Sequence, residues 1–388
     1  MRRHICLILL LIFIAASTST VFGASVKFVG KVALPSDVKL QKVVDFCVTG
    51  DGIFLIPDYL AGNIKLYERD GEVLRFLKTV GSKGYAPGQL VKPAFCSFNK
   101  VENKFVIVDL GTRRIYFYDR IERDEFVREK KANGNEIYSE CPRGANDVQL
   151  LGNRLFVAGH TNSGDKFYDF YSADLSELKD SNVIKAKPKH LLSSKEIYRI
   201  DENDDFVERI GARYLEAIGY RNYFDIEGNF AYFVWMGDLR ITKVDISSDS
   251  KVKSSFGEKT SNYVQPETSE AKELVNNFYL MVRNRESRDK REFRDRFFRE
   301  RRKFSIIRNL FTTSDHVIVV YEGPYKYDGK SENFHAQFYS LDGKFVTEVP
   351  LRGQLSNIMR FDKDKKILYS LSKSEGGAYF ILMYKVFE

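Results

Sequence analysis

The sequence repeats a two-strand unit six times, and this repeat limits the possible folds more than any other feature. Each unit reads as a short strand, a turn of Gly, Asp, Asn or Ser type, and a second strand rich in Val, Ile and Phe. Four copies have 14 residues, and two have a turn that is two residues longer. The six units are 45–58, 94–109, 147–160, 222–235, 309–322 and 357–372.

A third strand is predicted after every unit, and most of these strands end in Tyr. The pairs Asp70–Gly71 and Asp342–Gly343 favour tight turns into a further antiparallel strand. A period of about 50 residues with four strands per repeat is typical of propeller blades. The sequence therefore predicts an all-β chain, a six-bladed β-propeller of four-stranded antiparallel blades. The predicted third strands are Asn63–Tyr67, Arg114–Tyr118, Asp169–Tyr171, Arg240–Val244, His335–Tyr339 and Phe380–Tyr384.

The two ends of the repeat region predict how the ring closes. Phe28–Leu34 is strand-like but precedes the first unit, and the chain stops at Glu388, directly after the third strand of the last unit. We expect the N-terminal strand to supply the missing fourth strand of the last blade. This closure would leave no large open sheet edge for another chain to pair with.

One stretch of the chain resembles a known repeat family. Gly81–Pro93 is a glycine-rich lead that ends in Pro, Phe105–Asp109 is a strand that ends in Val-Asp where the family pattern has V-x-D, and Arg113–Asp119 carries R-I and aromatic residues next to Asp. This order resembles an NHL repeat and covers one blade of six. The whole chain is similar to exported bacterial six-bladed propellers of NHL-repeat-like type. Such a resemblance implies the fold much more firmly than an activity.

The first 23 residues have the pattern of a signal peptide. Arg2 and Arg3 precede an apolar run, Ile5–Ala16, and small residues lie before Gly23. A run of 12 residues is shorter than the roughly 20 that a membrane-spanning helix needs. We therefore predict a signal peptide over 1–23, and a periplasmic or extracellular protein. An uncleaved membrane anchor is the alternative.

Three cysteines remain after the predicted cleavage, which is an odd number. At least one of Cys47, Cys96 and Cys141 must therefore stay free or pair with another chain. All three lie in apolar, strand-like contexts, and a free Cys behaves as a small hydrophobic residue. We predict buried free thiols. No Cys/His spacing in the sequence indicates a zinc site.

Two insertions lengthen the repeat within a single propeller domain over 24–388. The first, 180–220, contains a candidate helix at 205–217, and the second, 264–305, has apolar residues at helical spacing. We predict that the second is a basic helical insertion. The residues that carry its helical spacing are Leu274, Phe278, Met281, Val282, Phe293, Phe297 and Phe304.

The positive charge of the chain is concentrated in the second insertion. The segment 283–303 has 11 Lys or Arg and five acidic residues, a net charge of +6 against +8 for the whole chain. One interpretation is a solvated helix face with i,i+4 ion pairs. The other is a surface that docks on an acidic partner or a membrane. Nucleic acid is not expected for an exported protein. The predicted basic surface is Arg283, Arg288, Arg291, Arg294, Arg299, Arg301 and Arg302.

Polar residues recur at the first and last positions of the units. These positions meet on one face of a propeller, so they predict a ring of polar side chains at the mouth of the axial channel. Ordinary polarity at strand ends is the alternative. Four of them, Asp45, Asp147, Asn222 and Asn309, have the oxygen ligands that suit Ca²⁺. The ten candidate ligand-binding residues are Asp45, Asp58, Asp109, Asp147, His160, Asn222, Trp235, Asn309, Glu322 and Asn357.

Two functions are consistent with these patterns. The first is a binding scaffold that recognises a peptide, a glycan or a partner protein, with no required cofactor. The second is a metal-dependent, lactonase-like hydrolase or lyase with an axial Ca²⁺. The sequence contains no recognisable catalytic motif and predicts no catalytic residue, so it favours binding over catalysis.

Overall fold

The computed structural model describes most of the chain from Ala24 to Glu388. The predicted signal peptide 1–23, the candidate helix 205–217, Cys141, Arg283 and Asn357 lie outside the described residues. No helix in the described part of the chain is long and apolar enough to cross a membrane. The described residues are 24–86, 88–120, 126–128, 145–163, 166–174, 189–192, 222–235, 237–247, 252–265, 270, 273–274, 277, 287–324, 334–353, 355–356, 358–374 and 376–388.

The described elements are almost all β-strands, as the repeat predicts. The strands of the first half of the chain are β1 (Ser25–Ala33), β2 (Cys47–Val48), β3 (Ile53–Asp58), β4 (Asn63–Asp70), β5 (Val73–Val80), β6 (Ser82–Lys83), β7 (Gln89–Leu90), β8 (Pro93–Asn99), β9 (Lys104–Asp109), β10 (Arg114–Arg120), β11 (Phe126–Arg128), β12 (Asp147–Leu151), β13 (Arg154–Ser163), β14 (Lys166–Asp174) and β15 (Lys189–Leu192). The remaining elements are β16 (Asn222–Glu227), β17 (Phe230–Trp235), β18 (Asp238–Asp245), β19 (Val252–Phe256), helix α1 (Ser287–Arg301), β20 (Ile306–Thr312), β21 (His316–Glu322), β22 (Phe334–Ser340), β23 (Phe345–Leu351), β24 (Met359–Asp362), β25 (Ile367–Lys373) and β26 (Tyr379–Phe387).

The strands form meanders in chain order. Four sheets have four strands each, namely β8–β11, β12–β15, β16–β19 and β20–β23. A fifth sheet has eight strands in the order β2-β3-β4-β5-β1-β26-β25-β24. Its N-terminal half is β2–β5, and its C-terminal half is β24–β26 with β1. All six predicted third strands are confirmed, within β4, β10, β14, β18, β22 and β26.

The N-terminal strand pairs with the last strand of the chain, as predicted. β1 runs antiparallel to β26 from Ser25↔Phe387 to Ala33↔Phe380. A single parallel pair, Ala33↔Val73, also joins β1 to β5. The sequence did not indicate this bridge, and it links the first and last meanders into one sheet.

The first strand of each meander lies at one edge of its sheet. These six inner strands are β2, β8, β12, β16, β20 and β24, and each contacts the next in cyclic order, with β24 against β2. The core lies between the sheets rather than at a single centre, because apolar residues on both faces of a sheet meet the faces of its two neighbours. Phe95, for example, packs with Val148, and Phe170 packs with Phe233.

The second predicted insertion contains a helix, and the first contains a strand. α1 lies within 264–305, and its Phe297 packs with Phe304 and Leu274 in a small cluster of buried residues. Within 180–220 the described segment is β15, which pairs with β14 as an outer strand. Cys47 and Cys96 are buried free thiols, as predicted.

Candidate functional site

A cavity of about 350 Å³ lies on the axis that the inner strands surround. Its wall comes from the second halves of these strands and from the turns that follow them. Aromatic side chains in the wall include Phe98, Phe361 and Tyr369. The charged residues of the wall are three cations and three carboxylates, so the wall is formally neutral: Lys100, Arg360, Lys363, Asp225, Asp362 and Asp364.

Six polar side chains join the inner strands around the axis, and we call them the axial ring. Each lies in or just before one inner strand and bonds a main-chain group that lies in, or directly before, the next inner strand. The bonds are Cys96 N to Asp45 Oδ2 (3.0 Å), Leu150 N to Ser97 Oγ (3.3 Å), Gln149 Nε2 to Phe224 O (3.0 Å), Thr312 N to Asp225 Oδ2 (2.8 Å), Asn309 Nδ2 to Met359 O (2.9 Å) and Arg360 Nε to Phe46 O (3.1 Å). The edge groups of the strands at these points are therefore satisfied by side chains.

Arg360 holds two buried carboxylates at the closing point of the axial ring. Its Nη2 donates to Asp45 Oδ2 and lies 3.1 Å from Asp147 Oδ1. Burial alone lowers the pKa of Arg360, but Asp45 and Asp147 together raise it above its ordinary value. The guanidinium therefore stays charged and provides the positive charge that two buried carboxylates require.

Asp147 titrates near neutral pH, unlike an ordinary aspartate. Its burial raises the pKa to about 6, while Arg360 lowers it and the negative charge of Asp45 raises it. Burial and Asp45 outweigh Arg360 because the whole carboxylate is removed from water. Asp147 also accepts a hydrogen bond from Val148 N at 2.9 Å, which fixes the position of its Oδ1.

We expect the stability of the protein to depend on pH through Asp147. Since the folded state binds this proton more tightly than the unfolded state, the free energy of unfolding rises as pH falls through the pKa of about 6. Asp147→Asn keeps an acceptor at Oδ1 but removes the titration. Acidification from pH 7 to about pH 5 should raise the free energy of unfolding of the wild type by roughly 1 kcal/mol relative to that of this variant, as measured by urea unfolding. A constant difference between the two proteins over this range would contradict the assignment.

The structure separates the predicted first-position residues. Asn309 and Asp45 belong to the axial ring, and Asp147 meets Asp45 through Arg360. Asn222 is buried, and its main-chain N donates to Asn146 Oδ1 at 3.4 Å. Of the ten predicted ligand residues, Asn309 is the one that the described part of the chain places in the cavity wall.

Two of the predicted last-position residues, Asp58 and Asp109, accept hydrogen bonds from the main chain of neighbouring loops. Asp58 accepts hydrogen bonds from Gln41 N (2.9 Å) and Lys42 N (3.1 Å). It also forms an ion pair with Lys65, whose Nζ lies 2.8 Å from Asp58 Oδ2. The bonds from Lys65 and from these loop amides lower the pKa of Asp58 in spite of its burial. Asp109 repeats this arrangement with the main-chain N–H groups of Val91 (2.7 Å), Lys92 (2.9 Å), Gly111 (2.8 Å) and Thr112 (3.2 Å). Asp58 and Asp109 thus position the loops next to their strand pairs.

Trp235 and Glu322, two other last-position residues, also lie away from the cavity. Trp235 is fully buried and packs against Phe233 with ring centroids 4.6 Å apart. Glu322 forms an ion pair with Arg308, whose Nε lies 2.8 Å from its Oε2. His160 lies in β13, and its side chain is outside the described residues.

The residues proposed for Ca²⁺ do not form a site that fits the ion. The guanidinium of Arg360 lies between Asp45 and Asp147, where a cation shared by both carboxylates would lie. The amide of Asn309 donates to Met359 O, so its orientation serves the axial ring. Within the described ranges, no group of three or more His, Cys, Asp or Glu is placed to hold a metal ion.

The turns after β8 and β24 form one rim of the cavity. Lys100 Nζ lies 2.6 Å from Asp364 Oδ2 and 3.4 Å from Asp362 Oδ1, across 262 positions of sequence. Burial lowers the pKa of Lys100, but Asp364 and Asp362 raise it above its ordinary value. Lys363 Nζ bonds Thr312 Oγ1 at 2.7 Å and lies 3.0 Å from Glu227 Oε2.

Two buried polar atoms of the cavity wall have no hydrogen-bond partner among the described residues. They are Asn99 Nδ2, a donor, and Asp362 Oδ2, an acceptor. Asp362 Oδ2 lies 3.6 Å from Lys365 Nζ, which is an ion-pair distance. Unpaired polar atoms in a buried position are costly, because they have lost water without gaining a partner. Asn99 and Asp362 are therefore residues of the cavity wall whose hydrogen-bonding capacity is not fully used within the described structure.

Sequence reasoning missed most of this site. Four residues of the site are neither first nor last in their units, so the polarity of those positions did not indicate them. They are Ser97, Gln149, Asp225 and Arg360. Lys100 and Lys363 had a usable signal, because they lie in the turns of the two units that are longer than the rest.

Antiparallel meanders whose inner edges surround an axial cavity define a β-propeller-like protein. No protein-family model matches this chain, and no curated protein matches its sequence. Solved structures do match, among them a member of the DUF4221 family from Bacteroides vulgatus. That structure has a TM-score of 0.54 and 8% identity, over 94% of this chain and 99% of the other.

A second match is a candidate exported protein of Bacteroides fragilis. It has a TM-score of 0.52 and 13% identity, over 94% of this chain and 96% of the other. A periplasmic gluconolactonase of Pseudomonas aeruginosa matches with a TM-score of 0.44 and 9% identity, over 88% and 84% of the two chains. At these identities the first two matches show a shared fold, and the third carries no argument about activity.

Proposed function

We propose that the protein is an exported six-bladed β-propeller of four-stranded blades that binds a small neutral polar ligand, a mono- or disaccharide, in its axial cavity. Three observations support the six blades. The eight-stranded sheet divides at the β1–β5 bridge into two halves of four strands. Six inner strands contact in cyclic order. Six hydrophobic clusters each join one meander to the next around the axis.

The polar wall of the axial cavity supports the binding function. Ligand pockets usually have about 300–1,000 Å³, apolar walls and a few polar groups that orient the ligand. This cavity has about 350 Å³ with Phe98, Phe361 and Tyr369 in its wall. The observation that carries the proposal is the cavity wall itself, in which these aromatic side chains lie beside the polar residues Asn99, Lys100 and Asp362.

The balance of charges in the wall favours an uncharged ligand. Each cation already faces a carboxylate: Lys100 faces Asp364, and Lys363 faces Asp225 at 3.3 Å. A charged ligand would compete with one of these pairs, and separating Lys363 from Asp225 would leave a largely buried carboxylate without its cation. Hydroxyl groups can both donate and accept, so they can satisfy a donor and an acceptor together.

The proposal is tested by calorimetric titration with a panel of mono- and disaccharides. We expect one class of sugar to bind the wild type. Asp362→Asn should weaken its binding about tenfold or more, because an NH₂ group replaces an acceptor. Leu151→Trp should abolish it, since Leu151 lies on the cavity wall and is 49% exposed.

Leu60→Trp is the matched control, because Leu60 is 43% exposed and lies away from the cavity. It should bind like the wild type. The proposal fails if no sugar of the panel binds, or if binding survives Leu151→Trp unchanged.

A further inference from the structure

Among the described residues, helix α1 buries one narrow face, and it does so against other residues of the insertion. Phe297 and Phe304 are buried together with Leu274, while most other described side chains of the helix are exposed. A surface helix normally buries a stripe wider than this. The part of α1 whose side chains the structure describes therefore has a large exposed surface.

One exposed stripe of α1 combines positive charge with an aromatic residue. Arg291, Arg294 and Phe298 of α1 are followed by Arg302, the first residue after the helix, whose main-chain N still donates to Phe298 O; spacings of three, four and four place the four residues along one side. All four are exposed, and Phe298 is 42% exposed. Asp295, which pairs with Arg294 at 3.3 Å, adds one negative charge beside the stripe. Arg288 also belongs to the helix, but its side chain is outside the described residues.

A second observation at the same place is a small basic pocket. It has about 130 Å³ and lies between the C-terminal end of α1 and the strands β20 and β21. Phe298 and Arg302 of the stripe belong to its wall. Three arginines, Arg301, Arg302 and Arg308, line it against one carboxylate, Glu322. The pocket therefore has a formal excess of positive charge, of a kind that suits a phosphate group.

We propose that this face of α1 docks the protein on the surface of an anionic phospholipid membrane. Phe298 would enter the boundary between headgroups and acyl chains, the arginines of the stripe would lie against the headgroups, and the basic pocket would accept one lipid phosphate. A cationic helix with an aromatic residue on its exposed side is a common form of interfacial attachment. Each basic residue near an anionic surface strengthens attachment by roughly fivefold.

Vesicle flotation tests this proposal with the full mature chain. The wild type should float with vesicles of phosphatidylcholine and phosphatidylglycerol, and much less with phosphatidylcholine alone. Arg291→Gln, Arg294→Gln and Arg302→Gln combined should lower the partition coefficient by about two orders of magnitude. Phe298→Ser should lower it by roughly tenfold.

The matched control removes three positive charges elsewhere. Lys27, Lys39 and Lys92 are exposed and belong to the N-terminal part of the chain, and changing all three to Gln should leave flotation nearly unchanged. If this control weakens flotation as much as the helix variant does, the attraction is one of net charge and the proposed surface is wrong.

Two further measurements distinguish the remaining outcomes. Raising the salt concentration should release the wild-type protein, because surface charges are screened; this measurement needs no variant to fold. Titration with inorganic phosphate should show weak binding or none. Tight binding of free phosphate without flotation would overturn membrane docking in favour of a soluble phosphate ligand, and absence of flotation with anionic vesicles would overturn it outright.

Discussion

Arg360→Met should lower the free energy of unfolding by about 3–5 kcal/mol. The variant keeps most of the side-chain volume but leaves Asp45 and Asp147 buried without a positive charge between them. It also removes the hydrogen bond to Phe46 O, which closes the axial ring between the last inner strand and the first. Urea unfolding of the wild type and the variant measures the difference.

Neutralising the carboxylates together with Arg360 separates charge from packing. Arg360→Met with Asp45→Asn and Asp147→Asn should recover a large part of the loss, because a neutral set of similar volume no longer buries unpaired charge. Arg352→Met is the matched control: Arg352 is exposed and precedes the same inner strand, so its substitution should change stability by less than about 0.5 kcal/mol. A loss below about 1 kcal/mol for Arg360→Met would show that the ion pairs contribute little.

Removing residues up to Ala33 should abolish the soluble monomer. β26 then becomes an edge strand, although its residues are buried on both faces: Leu382 packs in one cluster and Met383 in another. The deletion also removes Val32 of β1, which is buried in the folded protein. An exposed apolar edge of this length pairs with other chains, so we expect aggregates or oligomers by size-exclusion chromatography.

A chain that begins at Ala24 is the control, because it keeps β1 and should melt like the longer protein. A synthetic peptide of residues 24–34 added during refolding should restore monomer to the truncated chain by adding the missing strand. A truncated chain that is monomeric and has an unchanged melting temperature would contradict the closing role of β1.

The repeat made much of the fold predictable from sequence. Alternation and turn residues act within a few positions, so the strand pairs and the third strands could be located. β1 could be assigned to β26 because the last meander lacked a fourth strand, and the N-terminal strand preceded the first unit and had no partner in it. The bridge between Ala33 and Val73 was not predictable, since a single pair between two outer strands depends on the distance and angle between neighbouring meanders.

The site was far less predictable, and the reason is geometric. Each bond of the axial ring needs a polar side chain level with a main-chain group of the neighbouring inner strand. The position along the strand at which this occurs differs from one pair of inner strands to the next. Asp45 and Asn309 are the first residues of their units, whereas Ser97 and Arg360 are the fourth. The pairing of Lys100 with Asp362 joins the second unit to the sixth, and no local pattern indicates such a contact.

The axial ring also limits what the protein can recognise at its centre. An extended peptide that docks by β-augmentation needs unoccupied main-chain donors and acceptors on a strand edge. Around this axis the amides of Cys96, Leu150 and Thr312 are already bound to side chains, as are the carbonyls of Phe46, Phe224 and Met359. At these six points a guest in the cavity therefore meets side chains rather than unoccupied strand edges, so the described part of the axis offers no main-chain ladder there for a peptide strand to join.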